Sequence, residues 1–169
     1  MYRYVVHVSE EHEVYAKNHI NSNFPGIKAI IPIASQIDEV DNKRVLVFTR
    51  PLEEYLILSC DQPLGARLKQ IQRVNGVLAV LSDGSDEDSV PDKEIGDFLA
   101  IPDKERLASL KDGYVNVING THAGRRGHVV SYKNPILKVN IVNSLNDKKA
   151  LTILIPIWDV VKILEGDPQ

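Results

Sequence analysis

The chain opens on an alternating pattern. Tyr2, Tyr4, Val6 and Val8 interleave with Arg3, Val5 and His7, which predicts a strand with at least one buried face. The period then changes. Ala16, Ile20 and Phe24 fall four apart and predict an amphipathic helix, stopped by Pro25-Gly26. Ser9 is the expected N-cap, with Glu10, Glu11 and Glu13 at the positive end of the dipole. Ile27 to Ile37 is a long β-rich run. Asp41-Asn42 marks a turn, and Val45 to Phe48 reads as the hairpin partner. Tyr55 to Cys60 predicts another strand, Leu64, Leu68 and Ile71 a second helix, and Gly76 to Leu81 a final strand. This order implies an α+β sandwich with helices against a mainly antiparallel sheet.

Beyond Leu81 the texture changes. Ser82 to Ser89 is an expected acidic loop, Pro91 to Ala100 a short helix with Ile95, Phe98 and Leu99 inward, and Ile101 to Lys111 a linker. Strands follow near 114–118, 127–132, 136–142, 150–155 and 158–163, dense enough for a small five-stranded barrel. The expected domains are therefore 1–100 and 112–169, joined by 101–111.

With 169 residues, 43% of them hydrophobic and 25% charged, the chain can bury a core in either domain. A net charge of −3 argues against indiscriminate nucleic-acid binding over the whole surface. The charge is nevertheless divided. Asp83 to Glu105 holds nine carboxylates against two lysines, a net of −7, whereas Gly113 to Glu165 nets +4. No stretch approaches the ~20 apolar residues of a membrane span. The alternating N-terminus argues against a secretory signal. Cys60 is the single cysteine, so no intrachain disulfide or multi-cysteine metal site is expected, and a cytoplasmic location fits. Its apolar strand and neighbour Asp61 should raise the thiol pKa. The five histidines show no metal-ligand spacing, and no nucleophile motif stands out. No enzyme activity, metal or cofactor is expected.

The stretch from Asp112 to Val130 carries the most chemistry. Two β patterns flank a turn with Gly120, Gly124 and Gly127 and the adjacent Arg125 and Arg126. It resembles a KOW motif, the strand-loop-strand signature of small SH3-like barrels. Tyr4-Val5-Val6, Glu13 opening a helix, Arg50-Pro51-Leu52 with Tyr55-Leu56-Ile57, Val74-Asn75-Gly76-Val77 and the proline-led Val90-Pro91-Asp92-Lys93-Glu94-Ile95 resemble the NGN domain of NusG-like transcription factors. Both signatures occur in family order across essentially the whole chain.

The resemblance implies an NGN-like antiparallel sheet with helices, a KOW barrel, and a monomeric elongation or antitermination factor riding on RNA polymerase. It implies polymerase contacts at Tyr4, Leu52, Tyr55, Ile57, Val80, Arg67 and Lys69. The KOW part would recruit an RNA hairpin, a ribosomal protein or Rho. There His122, Arg125, Arg126, His128, Lys133 and Lys138 are candidate RNA contacts, and His12, Lys17 and His19 could meet the non-template DNA strand. Glu53-Glu54 replaces an apolar part of the family's polymerase pocket, and His122 and Arg125 replace aromatic KOW positions. These departures suggest a specialised paralogue of the LoaP or RfaH kind. The alternative is a structured-RNA-binding protein acting without polymerase in translation or at the ribosome.

Overall fold

The computed structural model describes residues 1–82, 89–95, 104–141 and 151–164. The fold is mixed α+β with antiparallel sheets, and the chain divides into two compact units. The first comprises Met1–Ile33 and Arg50–Ala100, the second Ala34–Thr49 and Ile101–Gln169.

In the first unit, β1 (Tyr2–Val8), β2 (Ile27–Ile30), β5 (Tyr55–Cys60) and β6 (Val77–Val80) form one sheet ordered β2-β5-β1-β6. Tyr4 pairs with Leu58 and Val6 with Leu56, so these four side chains share a face. All four are fully buried. Helix α1 (Glu13–Asn23) buries Ala16 and Ile20, and α2 (Arg67–Gln72) buries Ile71, as their spacing predicts.

The start of α1 differs from expectation. Ser9 does not cap it; His12 occupies that position without a side-chain cap, and Glu10-Glu11 lie in the preceding turn. The Ser9 N–H instead donates to the Gly76 carbonyl at 2.7 Å, which fixes the end of β1 against the loop before β6. The long run from Ile27 also breaks, because Ile31-Pro32-Ile33 is buried without strand pairing and Pro32 has no N–H to donate.

In the second unit, the hairpin β3 (Ala34–Val40) and β4 (Lys43–Thr49) joins β7 (Tyr114–Val117), β8 (Arg126–Lys133), β9 (Ile136–Ile141), β10 (Leu151–Pro156) and β11 (Val160–Ile163). The five later strands lie close to their predicted positions. The order is β10-β9-β8-β7-β11-β4-β3, so this is an extended sheet and not a closed barrel. Strand β11 pairs on one side with β7 and on the other with β4, through Val161 opposite Val47 and Ile163 opposite Val45. The expected linker is also structured in part. Within it lies a helix, Lys104–Ala108, and Leu110 is fully buried. The Arg106 guanidinium donates to the Ser35 carbonyl at 2.8 Å. The helix Asp92–Ile95 falls inside the predicted Pro91–Ala100, while the acidic loop 83–88 and residues 96–103, with Phe98 and Leu99, lie outside the described residues.

Candidate functional site

Candidate side chains of the first unit divide between the two faces of its sheet. Tyr55 pairs with His7 and Ile57 with Val5, on the face opposite Tyr4 and Leu58. Tyr55 is half-buried and stacks on His7, with ring centroids 4.9 Å apart and planes at 22°. His7 Nε2 is 3.7 Å from Glu54 Oε2. Leu52 is half-buried and its carbonyl accepts from the Tyr55 N–H at 3.4 Å. An aromatic pair rimmed by a carboxylate, partly open to solvent, suits an amphipathic contact.

Three predicted contacts are corrected by burial. Tyr4 and Ile57 are 0% exposed, and Val80 is 8% exposed. Tyr4 and Val80 flank Val6 on the core face, while Ile57 lies between Val5 and Ile30. They build the sheet and present little or no surface. Arg67 bridges to the Pro63 and Pro25 carbonyls at 3.4 Å, which ties the turn after α1 to α2; Lys69 is exposed on α2.

The expected DNA-facing trio does not form a shared surface. His12 precedes α1 and packs on Gly76, Lys17 is a buried side chain with its own interaction, and His19, half-buried like His12, is in ring contact with Tyr15. Cys60 is buried, and desolvation pushes its thiol pKa up. The Arg67 charge opposes this shift and Asp61 adds to it.

In the second unit the outer face of the sheet gathers most of the predicted basic residues. The register sets Tyr114 opposite His128, His128 opposite Asn140, and Asn140 opposite Thr152. Arg126 stands two residues before His128 on the same face, and its guanidinium lies 4.7 Å over the Tyr114 ring. The Tyr114 and His128 rings meet edge to face at 5.2 Å. Arg125, Lys133 and Lys138 are exposed, whereas His122 tucks into the glycine turn with a buried Nδ1. Tyr114 was read in the sequence only as a strand residue. Its alternation with buried Val115 and Val117 is the signal that places it outward.

The family model described as "Transcription termination factor nusG" matches residues 1–99. The chain belongs to the NusG family. Members of this family are non-enzymatic transcription factors that act with RNA polymerase, and a transcription elongation kind of function follows. Two solved structures are similar over nearly the full length. The MjSpt4:Spt5 complex in conformation B shares 15% identity, covering 99% of both chains at a TM-score of 0.37. Thermotoga maritima NusG shares 16%, covering 94% of this chain and 95% of that one at 0.40. No curated protein matches the chain. Within the NusG-family segment, exposed Glu53 and half-buried Glu54 are the acidic substitutions noted in the sequence, and Glu54 is drawn to His7. Among the described residues no helix is long and apolar enough to cross a membrane, and no acid, histidine and cysteine cluster could hold a metal.

Proposed function

We propose that this NusG-family protein is an elongation or antitermination factor of the specialised LoaP or RfaH kind, with polymerase contacts in residues 1–100 and recruitment in residues 112–169. The observation that carries the reading is the family match over the first 99 residues, on a unit that leaves Tyr55 and Leu52 partly open. Tyr55 with its His7 partner is the anchor, Leu52 extends it, and Arg67 and Lys69 lie on a separate helix. Binding that is tighter to the closed, active state of the enzyme than to the paused one would suppress pausing or termination. The second unit recruits RNA through Arg125, Arg126, His128, Lys133 and Lys138, or a protein such as Rho or a ribosomal component.

A second reading has one observation in its favour. With Tyr4, Ile57 and Val80 buried, the exposed apolar patch is smaller than the resemblance implies, as for an RNA-binding protein acting without polymerase. Capture of core RNA polymerase by the full-length protein separates the two. Binding by wild type, retained by Tyr55→Phe and weakened about tenfold or more by Tyr55→Ala, supports the first reading. A wild-type protein that captures no polymerase overturns it.

A further inference from the structure

Two clefts meet in the second unit at Tyr114 and Arg126. The larger, about 530 Å³, is lined by Asp112, Gly113, Tyr114, Arg126, Lys162 and Leu164. The smaller, about 220 Å³, adds Asn116 and shares Tyr114, Arg126 and Ile163 with the larger. Tyr114 is 49% exposed at the start of a strand whose Val115 and Val117 are buried. Its ring is held by Arg126 over its plane and His128 at its side.

We propose that this face is a base-stacking site: an unpaired nucleobase packs on the Tyr114–Arg126 pair, with its strand running along the row of His128, Asn140 and Thr152. The inference rests on the reading that the second unit contacts nucleic acid, and names the site and the ligand form. Every base has a π-face, and both aromatic rings and guanidinium planes stack on it once the base leaves its helix. A paired base in a duplex offers no such face, so the platform selects single strands, loops or bulges.

The neighbours fit a nucleotide. Asn140 Oδ1 accepts from the Thr152 hydroxyl at 2.8 Å, which orients the amide in the row. Lys138, two residues before Asn140, lies on the same exposed face and supplies a cation for the sugar-phosphate chain. Asp112 at the rim can accept from an exocyclic amino group of the base. Arg125, on the glycine turn before Arg126, extends the basic track.

RNA and single-stranded DNA share this chemistry, and the test distinguishes them. Full-length protein is titrated with a roughly 12-nucleotide unstructured RNA bearing a central 2-aminopurine, with the same DNA sequence, and with the RNA duplex. The proposal expects altered 2-aminopurine fluorescence with one or both single strands and none with the duplex. The DNA arm tells which strand is preferred. Tyr114→Ala should weaken binding about five- to a hundredfold without changing its salt dependence. Tyr114→Trp should retain binding, and Lys138→Ala, at the cation facing the sugar-phosphate chain, should lower the slope of log affinity against log salt by about one.

Equal binding by Tyr114→Ala, equal binding of the duplex, or no binding of any probe by wild type overturns the proposal. Each of these results leaves polymerase capture, a property of the first unit, to be judged separately.

Discussion

Arg50 Nη1 donates to Glu13 Oε1 at 2.8 Å, which links the first residue after the hairpin to the first residue of α1, 37 positions earlier. The carboxylate is 5% exposed and the guanidinium 22%. Both residues belong to motifs by which the sequence resembles its family, and the contact gives those motifs a structural reason. Removing one partner of a largely buried pair leaves the other desolvated and uncompensated. Arg50→Ala should therefore destabilise the first unit by about 2–3 kcal/mol, less than for a fully buried pair because Arg50 keeps some water. A double-mutant cycle with Glu13→Ala, read by urea denaturation, should give a coupling of about 0.5–3 kcal/mol. Additive losses would show that the contact contributes nothing of its own.

Gly76 has φ +90°, and a Cβ built there would lie 2.6 Å from the Cβ of His12. Two penalties coincide: a left-handed backbone that a side chain opposes, and a contact closer than packing permits. Gly76→Ala should cost about 2–4 kcal/mol, measured by denaturation with circular dichroism. His12→Gly, which removes the Cβ that the new methyl would meet, should recover part of the loss in the double variant relative to His12→Gly alone; no recovery would assign the whole penalty to the backbone.

How far the sequence was legible depends on how local each cause is. The alternation of Tyr4, Val6 and Val8 is a property of neighbouring residues, and it located β1 and its buried face. The Asp41-Asn42 turn was equally local; both residues adopt positive φ, at 51° and 59°, and close the hairpin. Ile57 was harder, because a strand buried on both faces no longer reveals by alternation which residues meet solvent. The start of α1 lies later than its sequence suggests because a turn at Glu10-Glu11, with Glu11 at φ 66°, separates Ser9 from the helix, while the Ser9 N–H is held by Gly76, 67 positions away. The stacking of Tyr55 on His7 and of Arg126 on Tyr114 requires strand register, which periodicity alone does not supply.

Tyr132 supplies a pH test. Its hydroxyl is buried without a hydrogen-bond partner among the described residues, beside a groove formed with Leu107, Ala108, Lys111, Val130 and Ser131. Desolvation pushes its pKa up to about 12. In the unfolded chain the phenol ionises near its usual value of about 10, while the folded state keeps the proton. Stability from this group is therefore complete below pH ~10 and lost as pH rises toward ~12. Tyr132→Phe should flatten that alkaline decline and, since no partner is lost, change stability at pH 7 by no more than about 1 kcal/mol. Identical alkaline unfolding of both proteins would refute this.

Cys60 should be a slow nucleophile. Burial raises its pKa, so little thiolate is present near neutral pH, and its strand shields the sulfur. Iodoacetamide should label the native protein far more slowly than the urea-unfolded chain. Comparable rates would mean that β5 opens readily.

The hairpin offers the sharpest contrast with the sequence reading. It lies within residues 1–100, assigned there to the first domain, yet β4 pairs with β11. Strand pairing of this kind depends on which edge lies free nearby, and nothing in the hairpin's own alternation encodes it. Val45, Leu46 and Phe48 are 5%, 1% and 1% exposed, and the Leu164 N–H donates to the Arg44 carbonyl at 2.9 Å. Phe48→Ala should remove about 3–5 kcal/mol from the second unit, the usual cost of emptying a buried aromatic position. Hydrogen exchange should then accelerate at Leu164 and along Val161–Ile163, with β1 and β5 amides unchanged. Acceleration confined to β1 and β5 would return the hairpin to the first unit and remove the β4–β11 pairing.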